Sequence, residues 1–108
     1  MNIYKSKYKK NPEYETSDMG GYLSVFTGNL EQVFFLRNSE IEMFNLFDTA
    51  ISVDDAVSIM IDLYAVSKAD RINIENDCKQ FLTNLIENQI LVEDTDTTAK
   101  SPYLATPR

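Results

Sequence analysis

Four apolar residues stand in a row at Val33, Phe34, Phe35 and Leu36, in a chain of 108 residues. A half-solvated strand alternates apolar and polar side chains, and this run leaves no face for water. After Arg37 and Asn38 the rhythm changes, and Ile41, Phe44 and, one position off, Met43 and Phe47 fall at helical spacing. The chain is long enough for one domain with a modest core. Something in that small domain must cover the second face, or the edge, of an unusually oily strand.

The neighbouring sequence places the run at the end of a sheet. Residues 13–36, "EYETSDMGGYLSVFTGNLEQVFFL", read as three short strands with turns at Met19, Gly20 and Gly21 and at the Gly28-Asn29 pair. Short turns make an antiparallel meander, whose first and third strands lie at its edges. The third strand, Glu31 to Leu36, is thus expected at an edge. Three helices follow. The first spans Ser39 to Asp48, capped by Asn38 or Ser39. The second starts at Ser52 with Asp55 three residues on, and buries Ala56, Ile59, Met60 and Leu63. The third opens with Ser67 and Asp70 and carries Ile74, Cys78, Phe81, Leu82 and Leu85 as its apolar stripe, with Ile90 to Val92 packing back on the core. The expected class is α+β and winged-helix-like, a three-stranded antiparallel meander followed by three helices. Residues 1–12 read as a flexible basic arm, 13–92 as the folded domain and 93–108 as a mobile tail.

Charge excludes one large class of partner. The chain has ten Lys and Arg against seventeen Asp and Glu. Lys5, Lys7, Lys9 and Lys10 lie in the acid-free leading segment, which leaves six basic against seventeen acidic groups in residues 11–108, a net of −11. Such a body repels phosphate backbones, so no nucleic-acid partner is expected. A winged-helix DNA-binding regulator is the competing class, yet from Ile72 to Leu91 the third helix has Lys79 alone against Glu75, Asp77 and Glu87. A single cysteine, Cys78, precludes an internal disulfide and suits a reducing compartment. No apolar run reaches the roughly 20 residues that span a bilayer. A cytoplasmic protein without a membrane partner is the expectation.

Catalytic chemistry finds little to use. There is no histidine, the commonest general base and zinc ligand. Cys78 lies on an apolar stripe, where a small core residue is the plain reading. Asp54 with Asp55, and Glu93 with Asp94 and Asp96, read as a helix start and a solvated tail, not as metal ligands. Neither an enzyme nor a cofactor is expected.

The edge strand offers a function. With Val33 and Phe35 on one face and Phe34 and Leu36 on the other, one pair lacks protection unless the third helix or the arm covers it. The alternative is that another chain adds as a fourth strand along Glu31 to Leu36, dropping side chains beside the third helix. No proline or lysine guards this edge.

Three strands, then "VFFLRNSEIEMFNLFDTAISVDDAVSIMIDLYAV", then a helix with "ENDCKQFLTNLIENQIL", resemble the PqqD-like peptide chaperones, or RiPP recognition elements, over residues 13–92. Leu36, Phe44, Leu46 with Phe47, and Asp48 to Ala50 fill the family's strand end, helical aromatic, Leu-Leu pair and small turn. Tyr64, Asp77 with Cys78, Phe81 with Leu82, and Gln89 to Leu91 match its later pattern. Arg37 stands where the family usually has Asn, and Gln89 where it has Gly. The resemblance implies a non-catalytic peptide chaperone that binds the leader of a ribosomally made precursor. Glu31, Gln32, Val33, Phe34, Phe35 and Leu36 would hold it, with Asp77, Phe81 and Asn84 as the far wall. The partner enzyme it implies is a radical SAM maturase, or a protease and cyclase pair. Another protein-interaction module is the remaining alternative.

Overall fold

The computed structural model describes residues 3–28 and 31–94. The fold is α+β, and the described residues form two three-stranded antiparallel sheets and three α-helices. β2 (Tyr14–Asp18), β3 (Leu23–Thr27) and β4 (Val33–Leu36) form the expected meander in that order, with β4 at an edge. The first turn is closed by the Met19 amide donating to the Tyr22 carbonyl at 2.9 Å. Gly20 adopts φ +95° there, a conformation that costs little without a Cβ. Asn29, in the second expected turn, lies outside the described residues.

The leading segment corrects the sequence reading. Far from being a flexible arm, Lys7–Lys10 forms β1, the central strand of the second sheet. It pairs with β5 (Ile51–Ser52) on one side and β6 (Leu91–Glu93) on the other. Tyr8 is the anchor, 5% exposed within the core. The lysines meet the acidic body: Lys5 lies 3.3 Å from Asp54, Lys9 3.7 Å from Asp94 and Lys10 2.6 Å from Asp48. Asp94 also donates its amide to the Lys7 carbonyl, so the domain runs past residue 92. The expected mobile tail otherwise falls on residues 95–108, outside the described residues.

α1 (Ser39–Asn45) is shorter than expected and continues as a 3-10 turn at Leu46–Asp48. Asn38 precedes it without a side-chain cap, at φ 52°, ψ −123°, while the Glu40 amide donates to the Arg37 carbonyl. Those angles and that bond make residues 37–40 a type II′ turn. α2 (Val53–Tyr64) and α3 (Lys68–Glu87) start as expected, with the Ser52 and Ser67 hydroxyls accepting from the amides of Asp55 and Asp70. The buried stripe of α2 is Val53, Ala56, Val57, Met60 and Ile61. Ile59 and Leu63, expected within it, are exposed, because the packed face is rotated toward Val57 and Ile61. α3 ends in a Schellman motif: Gln89 takes φ 62°, its amide donates to the Ile86 carbonyl, and the Ile90 amide donates to the Leu85 carbonyl. The core is closed by Phe44, Phe47, Leu82, Ile90 and Leu91.

Candidate functional site: the open edge of β4

Backbone geometry decides which groups of β4 are available. The Thr27 amide donates to the Gln32 carbonyl at 3.2 Å, so residues 27 and 32 are a hydrogen-bonded pair. Bonded and non-bonded pairs alternate along an antiparallel ladder. In the register Leu23↔Leu36 to Phe26↔Val33, the backbone groups of Gln32, Phe34 and Leu36 therefore turn toward β3. Those of Val33 and Phe35 turn outward, and among the described residues no strand of the sheet lies on that side. The next outward amide, on Arg37, donates to the Glu40 carboxylate at 3.0 Å, so the open stretch ends there.

Side chains answer what covers the oily strand. Leu36 is 3% exposed, and Phe34 is half-buried against the core with its ring 6.4 Å from that of Tyr14. Val33 and Phe35, on the opposite face, remain 42% and 57% exposed. Among the described residues, one face of β4 is thus covered, and the other face and the edge are open.

Beside this edge runs a groove of about 400 Å³, whose walls are Phe34, Phe35 and Leu36 of β4 and Asp77, Gln80, Phe81, Asn84 and Leu85 of α3, with Glu40 at one end. Of the predicted residues, Phe34, Phe35, Leu36, Asp77, Phe81 and Asn84 come together here. Glu31 and Gln32 do not line this groove. They border a separate depression of about 640 Å³ farther along the same two walls, with Tyr14, Glu87 and Asn88. Val33 contributes outward backbone groups and an outer-face side chain.

Tyr14 is the residue that sequence reasoning missed. Its hydroxyl lies 3.0 Å from the Gln32 side chain and 3.1 Å from the Asn88 carbonyl, joining the start of β4 to the end of α3. Both partners are acceptors, the Gln32 Oε1 and the Asn88 carbonyl oxygen, so the Tyr14 hydroxyl donates its one proton between them. This bridge fixes the width of the crevice. Gln80 and Leu85 were also missed, although they follow Asp77 and Phe81 by one helical step and that spacing could have named them.

Past Glu40, Asp77 and Phe81 a third cavity, of about 700 Å³, opens between the helices, walled by Met43, Met60, Ile74 and Cys78. Tyr64 stands at its rim and donates to Glu42, which raises the Tyr64 pKa. Cys78 is buried, and desolvation, with Asp77 nearby, raises its thiol pKa, the opposite of what an activated nucleophile needs. Of the charges on α3, Lys79 bonds Glu75 at 2.8 Å. Among the described residues, no helix is long and apolar enough to cross a membrane.

No protein-family profile matches the chain, and no curated protein matches it by sequence. Its fold matches the solved structure of TbiB1 in complex with the TbiA(beta) leader peptide. The TM-score is 0.61 at 17% identity, over 77% of this chain and 93% of that one.

Proposed function

We propose that the protein is a non-catalytic peptide chaperone of the RiPP recognition type, which takes up a precursor's leader as a strand added to β4. The observation that carries this is the open edge itself: two outward N–H and two outward C=O groups, on Val33 and Phe35, flank a groove whose far wall is α3. An extended peptide would find main-chain partners along the edge, and Phe34, Leu36, Phe81 and Leu85 would receive an apolar side chain. Main-chain bonds tolerate many sequences while the groove selects. The shared fold with TbiB1, which was solved with a leader peptide, supports the same reading. A separate modifying enzyme, a radical SAM maturase or a protease and cyclase pair, would act on the peptide held this way. DNA binding is disfavoured by the acidic body of the chain and by α3 from Ile72 onward, where the one basic residue, Lys79, is already paired with Glu75. The test is to titrate fluorescein-labelled leader segments of the short peptides encoded beside this gene. Saturable binding supports the proposal, and no binding by any of them contradicts it.

A further inference from the structure

The groove accounts for one face of β4 and leaves the other unexplained. Phe34 and Leu36 turn to the groove and core, whereas Val33 and Phe35 turn to the outer face of the sheet. There they do not stand alone. Phe26 lies directly across from Val33, and Tyr22 meets Phe35 edge-on with ring centres 5.4 Å apart. Ser24, across from Phe35, is only 8% exposed, so on β3 this strip is already covered by its neighbours. On β4, which among the described residues has a strand on one side alone, it is open.

We infer that the outer strip at Val33 and Phe35 is a second specificity surface for the same added peptide, which therefore presents a continuous apolar run and not an alternating amphipathic strand. This rests on the strand-addition reading above. A chain paired to β4 sets the two residues opposite Val33 and Phe35 on the outer face, with Cβ atoms about 4.5–5.5 Å away. The residue between them, opposite Phe34, enters the groove. Were the peptide polar at the two outer positions, Val33 and Phe35 would stay half in water and gain nothing on binding. Apolar, β-branched or aromatic residues there would complete the strip that Tyr22 and Phe26 begin. The ligand class is thus an extended segment with at least three consecutive apolar residues.

A phage-displayed library of random linear dodecapeptides tests this, selected on the whole protein and depleted on Val33→Pro to retain peptides that need the edge. The expected consensus has three adjacent apolar positions. Its affinity falls about tenfold on the double variant Val33→Thr, Phe35→Thr, since each cross-strand pair contributes up to about fivefold. Threonine keeps strand propensity, so the edge survives the change. Edge-dependent peptides with polar outer positions, or with unchanged affinity for the double variant, overturn this inference and leave strand addition standing. If depletion on Val33→Pro removes every peptide that binds the unchanged protein, strand addition is overturned, and this inference with it.

Discussion

Replacing Tyr8 with alanine should destabilise the whole domain, although the residue lies only eight positions from the start. Tyr8 is 5% exposed, sits in the central strand of the second sheet and is bracketed by Ile51 and Glu93. Truncating a buried aromatic costs about 3 kcal/mol or more. Two effects compete to explain what holds this segment, the burial of Tyr8 and the lysine ion pairs. Lys5–Asp54 is a solvated pair at 3.3 Å, of the kind that contributes about 0–1 kcal/mol and is screened by salt, whereas Lys9–Asp94, with its Asp94 side chain only 10% exposed, is stretched to 3.7 Å. Burial should therefore win. In thermal melts followed by circular dichroism, Tyr8→Ala is expected to lower Tm by about 12 °C or more, at roughly 4 °C per kcal/mol for a domain this size. Lys5→Ala should move it by less than about 4 °C. The reasoning fails if Lys5→Ala costs as much as Tyr8→Ala, or if both leave Tm nearly unchanged.

Alkaline titration offers an independent check on the same residue. Desolvation, and then Glu93, raise the Tyr8 pKa above the ordinary 10.0. A raised phenol contributes stability that is complete below the unfolded value near 10 and lost as pH rises through the folded one. Between pH 9 and 11.5, Tyr8→Phe should thus lose less Tm than the unchanged protein, and an equal loss would contradict the assignment. Gln89→Gly should stabilise by about 1 kcal/mol, because only glycine accepts the left-handed C′ position without strain, and a lower denaturant midpoint would count against the Schellman reading. Duplex DNA should show no measurable binding at physiological salt, and micromolar affinity falling steeply with added salt would reverse the charge argument.

Most of the meander and the three helices was legible because local chemistry and periodicity agree there. Gly20 marks a turn that needs positive φ, and Ser52 and Ser67 cap as their spacing with Asp55 and Asp70 indicates. What the sequence hid was long-range. β1 has two tyrosines and four lysines near it and no strand alternation strong enough to announce it. Its partners Ile51 and Leu91 lie far along the chain, the second at the other end of the domain. A usable hint was electrostatic, since an acid-free basic segment and a body of net charge −11 are complementary. The face of α2 was misjudged because Ile59 and Leu63 fit a helical stripe as well as Val57 and Ile61 do, and only packing chooses between them. In the candidate site, the strand edge and the α3 wall follow from pattern. Tyr14 could not, because its role depends on the distance between β4 and the end of α3. Gln89 is instructive in another way: it occupies a place where the resembling family has glycine, and its φ of 62° shows why.

The central claim is that a peptide pairs with the outward backbone of β4, and one residue tests it most directly. The Val33 amide points away from β3, whereas the neighbouring Gln32 carbonyl is spent on Thr27. A proline at position 33 removes an outward donor, obstructs an incoming strand and breaks no bond within the sheet. Labelled leader titrated into Val33→Pro, with far-UV dichroism and Tm recorded on the same sample, should show binding abolished and the fold intact. Unchanged affinity in a folded Val33→Pro variant would mean that the edge of β4 is not the site.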